Sequence, residues 1–127
     1  MRARSTVPVL VVSAALATLP GCGGGGHDSS GSGAPVAGAN VIDVEAHTFA
    51  FEPKEITVKA GQDATIALHS SDIEHDFTVD DLHIHVHTGP GQTTKGGIKP
   101  DKPGRYEFYC SIPGHKGSGM VGTLIVQ

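Results

Sequence analysis

Three residues able to bind a soft metal stand at equal intervals near the end of the chain. Cys110, His115 and Met120 are each five positions apart, within YCSIPGHKGSGMVGTLIV. Thiolate, imidazole and thioether together suit copper, which has to be held as both Cu(I) and Cu(II). The alternative use of the stretch is structural, a Gly- and Pro-marked turn before a closing strand. Two histidines and one cysteine in a trigonal set, with a distant methionine, make the blue-copper arrangement. One imidazole is still missing. His75, in EHDFTV, is the best candidate, because it begins a strand from which it can reach the Cys110 loop. Pro113 stiffens that loop, and Gly114, Gly117 and Gly119 allow tight backbone paths. A loop that cannot relax keeps nearly one geometry for both copper charges, so little rearranges when an electron moves.

A second group of histidines lies in DDLHIHVHTGPG. His83, His85 and His87 alternate, so a strand would set all three on one face at ~6.5–7 Å intervals, with Ile84 and Val86 toward the core. They offer an auxiliary Cu(II) or Zn(II) site; the plainer reading is a solvent-facing polar strip, since three strand-alternate residues form a poor cage. His47 and His69 read as structural or surface groups, and His27 as a solvated side chain.

The elements that must position these residues follow a period of two. VIDVEA, EITVKA, ATIALHS, HDFTV, LHIHVH, RYEFYC and MVGTLIV alternate apolar with polar residues, as half-buried strands do. Turn signals fall at Glu52-Pro53, Ala60-Gly61-Gln62, Gly89-Pro90-Gly91 and Lys102-Pro103-Gly104. No segment carries a helical stripe. The expectation is an all-β fold, an antiparallel Greek-key β-sandwich of seven to eight strands over residues 41–127.

Ahead of it, Arg2 and Arg4 precede an apolar run from Val7 to Leu19 that ends in Leu19-Pro20-Gly21-Cys22. A charged start, a short apolar stretch and a small-residue cut site describe a secretory signal over residues 1–21. The ending resembles a lipoprotein signal, which implies lipidation of Cys22 and membrane anchoring; a plain secretory signal is the alternative. Residues 22–40, rich in Gly and Ser, form a flexible tether. A bridge between Cys22 and Cys110 does not suit these positions, so Cys110 is a free thiol in an oxidising compartment unless a metal holds it. The full chain has 127 residues and a net charge of −4. Loss of Arg2 and Arg4 leaves seven basic against thirteen acidic residues, a balance of −6 without any basic stripe. That excludes nucleic acid as a partner.

The run FYCSIPGHKGSGMVGTLIV resembles the C-terminal ligand loop of the type 1 (blue) copper proteins, the cupredoxins. HTFAFEPKEITVKAGQ with EHDFTV resembles their first half, so the similarity covers Val41 to Gln127. The gap from Cys110 to His115 is that of azurin, rusticyanin and auracyanin, and the gap from His115 to Met120 that of plastocyanin and rusticyanin. The resemblance implies a cupredoxin-like sandwich with one copper, His75, Cys110 and His115 as equatorial ligands and Met120 as the axial one. A stripe histidine competes with His75 for this role, but Phe77 and Val79 beside His75 fit the family pattern. Asp76 departs from it: asparagine often follows the first histidine and ties the ligand loops together. An ionised Asp76 would accept from Ser111 and lower the reduction potential. With Cys110 the only cysteine in the loop, the dinuclear centre of cytochrome oxidase subunit II is excluded.

The function implied is electron transport by a monomeric, exported and lipid-anchored carrier at the outer face of a bacterial membrane, or in the periplasm. It would meet redox protein partners transiently near the edge of His115, with Met120, Pro113 and Ile112 as an apolar patch. Copper storage, delivery or tolerance is the rival, favoured by the histidine stripe. Nitrite reductases and multicopper oxidases need further domains, and no carboxylate pair, nucleophile triad or phosphate loop is present, so an enzyme is not expected.

Overall fold

The computed structural model describes residues 32–127. The signal segment, Cys22, His27 and most of the tether lie outside the described residues.

Nine strands form two sheets: β1 (Asn40–His47), β2 (Ala50–Glu52), β3 (Glu55–Val58), β4 (Ala64–Ser70), β5 (His75–Val79), β6 (Ile84–Thr88), β7 (Thr93–Ile98), β8 (Gly104–Tyr109) and β9 (Val121–Val126). One sheet runs β2-β1-β4-β7 and the other β3-β9-β8-β5-β6. This is the expected β-sandwich, with one strand more than the upper expectation. Its sheets are mixed rather than wholly antiparallel, because β1 pairs with β4, and β3 with β9, in parallel. A hairpin cannot join parallel neighbours, and here the chain leaves one sheet after β2 and enters the other at β3 before returning at β4. Helix among the described residues amounts to two 3-10 turns, Asp80–Leu82 and Lys116–Ser118.

Alternation decides which face each strand buries. In β3 and β6 every second residue is buried, with Ile56, Val58, Ile84 and Val86 turned inward. β5 is buried along its whole length. Phe77 and Val79 belong to the apolar core, whereas Asp76 and Thr78 project from alternate positions and are satisfied by hydrogen bonds. Three aromatic rings anchor the centre. Phe77 stacks on Phe108 at 4.5 Å, and Phe51 meets Phe108 edge-on at 5.2 Å. Such pairs add ~0.5–1.5 kcal/mol beyond the area they bury. Gly122 lies opposite Phe108 in the β8–β9 register. A Cβ there would overlap the Phe108 ring and stand 2.6 Å from the Lys54 carbonyl oxygen. β8 therefore lies close against β9, and that pair carries Cys110 and Met120 just beyond its end.

Before β1, Gly33 and Gly97 exchange two backbone hydrogen bonds of 2.8 Å. The final part of the tether thus runs against β7.

Candidate metal centre

β5 opens with His75, β8 hands over to Cys110, and β9 follows directly on Met120. All three strands belong to one sheet, so its end brings the residues to one pole. Backbone bonds hold the loop closed: Cys110 N–H donates to the Met120 carbonyl at 3.2 Å, Met120 N–H to the His115 carbonyl at 3.2 Å, and His115 N–H to Ile112 at 3.0 Å. Gly114 and Gly119 take left-handed conformations, φ 85° and 94°. There a side chain would clash with the backbone. The glycines set the path of the loop.

His75, Cys110 and His115 bring one donor atom each to within 4.8 Å of one another, and all three are buried. Cys110 Sγ lies 3.4 Å from His115 Nδ1 and 3.9 Å from His75 Nδ1. Metal bonds of ~2.0–2.1 Å to nitrogen and ~2.3 Å to sulfur span donors up to ~4.4 Å apart, so both separations fit a shared ion. Met120 is fully buried in the same pole. Soft sulfur beside two imidazoles, closed from solvent, is a donor set for copper.

His75 and Cys110 are held by groups behind them. His75 Nε2 lies 2.7 Å from Asp72 Oδ1. A carboxylate only accepts, so Nε2 carries the proton and Nδ1 presents its lone pair toward Cys110. Asp72 also accepts from the Ile73 and Thr48 N–H groups, both at 2.7 Å, and from the Thr48 hydroxyl. Burial alone would raise the Asp72 carboxyl. Donation from the Thr48 hydroxyl, the Ile73 N–H, His75 and the Thr48 N–H outweighs it and holds the group well below the usual carboxylate range. Burial pushes the Cys110 thiol up, partly offset by the N–H groups of Asp76 and Ile112. A cation in the site would reverse that shift.

Asp76 makes the tie expected of it. Its carboxylate accepts from Ser111 N–H at 2.7 Å and from the Ser111 hydroxyl at 2.5 Å, while its own N–H points at Cys110 Sγ from 3.4 Å.

The sequence-expected residues His75, Cys110, His115 and Met120 are therefore brought to one place. The histidine stripe is not. His83 stands outside β6 in a left-handed conformation, φ 52°, and only His85 and His87 share the exposed face. Among the described residues the one convergence of three or more His, Cys, Asp or Glu side chains is the Cys110 group. His47 lies near Glu52 at 3.7 Å, and His69 bonds Thr93, as surface and strand-end groups do. The apolar patch needs correcting: Met120 is wholly buried and His115 only 7% exposed. The exposed apolar neighbour is Phe49, edge-on to His115 at 5.2 Å. Sequence reasoning missed Phe49 and also Asp72, whose one signal was an acidic residue three positions before His75.

The family model of the cupredoxin-like domain matches residues 11–126. The chain belongs to the cupredoxin-like family. Over the full length of both chains it is 29% identical to a copper-resistant cuproprotein, CopI, of Rubrivivax gelatinosus. It is 33% identical to plastocyanin of Nostoc punctiforme, over 73% of this chain and 78% of that one. Auracyanin A of Chloroflexus aurantiacus, a blue copper protein, has the same fold, with a TM-score of 0.63 and 22% identity over 71% of this chain and all of that one. The cofactor of this cupredoxin is copper, and His75, Cys110, His115 and Met120 are arranged as in a type 1 copper site.

Proposed function

We propose that the protein carries single electrons on one copper per chain, which His75 Nδ1, His115 Nδ1, Cys110 Sγ and Met120 would hold. The observation that carries this is the convergence of both Nδ1 atoms on a buried Cys110 sulfur that forms no disulfide among the described residues. Copper supplies one-electron chemistry when bound. The chain's own part is to prevent rearrangement. Asp72 fixes the His75 ring, Asp76 locks the Cys110 loop to β5, and three backbone bonds close the loop on itself. Burial of the pole excludes water from the sulfur.

Electrons would pass through the edge of His115, framed by Phe49, Pro113 and Ile112, in small and short-lived contacts of the kind redox partners make. The acidic balance favours positively charged partners. We read the chain as a monomeric carrier without a catalytic step, exported by the signal at residues 1–21 and tethered by a lipid on Cys22. Among the described residues no helix is long and apolar enough to cross a membrane.

A second reading, copper tolerance, is favoured by the full-length similarity to a copper-resistant cuproprotein. Absorption and redox titration separate the two. Intense thiolate-to-copper charge transfer with reversible one-electron cycling supports the carrier; colourless Cu(I) that resists oxidation supports tolerance.

A further inference from the structure

His85 and His87 project from the exposed face of β6, two positions apart. Each has one ring nitrogen engaged by a neighbour on or beside β5. His85 Nδ1 lies 3.0 Å from Thr78 Oγ1, and His87 Nε2 lies 3.4 Å from Glu74 Oε2. For the neutral rings, the form that binds a metal, the hydrogen count fixes both tautomers. Thr78 has a single hydroxyl hydrogen and gives it to Asp76 Oδ1 at 3.0 Å, so Thr78 Oγ1 can only accept from His85. Nδ1 of His85 must then carry its proton, which leaves Nε2 bare. Glu74 accepts only, so His87 Nε2 carries the proton and Nδ1 is bare. Two exposed imidazoles on one strand face thus each hold a free lone pair, and each donates its other N–H to an oxygen.

That is the outer arrangement of metal-ligating histidines, whose second nitrogen is held by a carboxylate or another oxygen that fixes the tautomer. Strand residues two apart on one face stand ~6.5–7 Å apart at Cα, a spacing that imidazoles reaching toward each other can close onto one ion. We propose that His85 Nε2 and His87 Nδ1 form a second, surface metal site for a divalent first-row cation, with Thr78 and Glu74 as positioning residues and water completing the coordination. Imidazole donors suit Zn(II) and Cu(II), and Cu(II) binds tighter of the two. His83, turned off the strand by its left-handed backbone, takes no part. The site goes beyond the electron-carrier reading and does not depend on the ligand assignment at Cys110.

Calorimetric titration with Zn(II) alone, on full-length protein loaded with one equivalent of copper and freed of surface-bound metal, is the test. The site binds one Zn(II) that is lost in His85→Gln and in His87→Gln, and is weakened about tenfold in Thr78→Val, as loss of an outer-shell partner weakens metal sites. His83→Gln leaves it unchanged, and far-UV circular dichroism of each variant reports the fold. Absence of this Zn(II) at millimolar concentration, its survival in the double His85→Gln/His87→Gln variant, or its loss in His83→Gln overturns the proposal. The readout is a difference between wild type and surface variants. A protein that fails to take up copper at Cys110 fails the absorption experiment and leaves this difference intact.

Discussion

The Asp76 carboxylate grips Ser111 twice, accepting its N–H at 2.7 Å and its hydroxyl at 2.5 Å. One side chain on β5, beside His75, thereby fastens the residue after Cys110 to that strand. The same group puts acidic charge beside the sulfur, which favours the more positive copper state.

Replacing Asp76 with asparagine keeps an acceptor for the Ser111 N–H and removes the charge. The midpoint potential of the copper protein should rise by on the order of 60 mV, the one-electron equivalent of a tenfold change in the redox equilibrium. Potentiometric titration of wild type and Asp76→Asn measures it; an unchanged potential would show that the charge is not felt at the metal.

Asp72, in the connection before β5, links His75 to Thr48 in the turn between β1 and β2, and its carboxyl is held below the ordinary value of 3.8 by the bonds it accepts. A group whose pKa falls on folding contributes stability above its unfolded value, and that contribution fades as pH drops toward the folded value. The copper-free protein should therefore lose stability on acidification below about pH 4, and Asp72→Asn should flatten that part of the curve. Urea denaturation across pH checks this, with equal slopes for both proteins as the contrary result.

Burial raises the Cys110 thiol. The copper-free protein should accordingly alkylate slowly at Cys110 near neutral pH, since the thiolate is the reacting form, and faster after unfolding. Iodoacetamide labelling followed by peptide mass spectrometry separates Cys110 from Cys22. Labelling at the unfolded rate would contradict the closed pole.

Gly122 has the Phe108 ring on one side and the Lys54 carbonyl on the other. Gly122→Ala overfills that gap and should cost about 1–3 kcal/mol, the usual range for overpacking. Chemical denaturation reads the loss, and a neutral substitution would mean that β8 and β9 have room to part.

Much of this was legible before any coordinates. The two-residue period placed seven of the nine strands, missing the three-residue β2 and β7, whose TTKGGI has no apolar alternation; the equal spacing of Cys110, His115 and Met120 marked the loop, because donor type and glycine positions are local properties. Strand direction was not legible. Alternation tells which face is buried but is the same for parallel and antiparallel neighbours, so the β1–β4 and β3–β9 pairings stayed hidden. The same limit applies to His83, whose alternation with His85 and His87 continues through a 3-10 turn that ends the strand pattern. Asp72 and Phe49 went unseen for a third reason. Their roles come from Thr48 and the His115 ring meeting them across 24 and 66 positions of sequence, which only the folded chain brings together.

The central claim is that Cys110 sulfur and the two Nδ1 atoms bind one ion at the closed end of the sandwich. Absorption spectroscopy of the Cu(II)-loaded protein tests it most directly, beside His75→Ala. One copper per chain at the Cys110 site, with an intense visible thiolate band abolished in His75→Ala, is the expected result. A colourless Cu(II) adduct, or a band that survives the loss of His75, would contradict it.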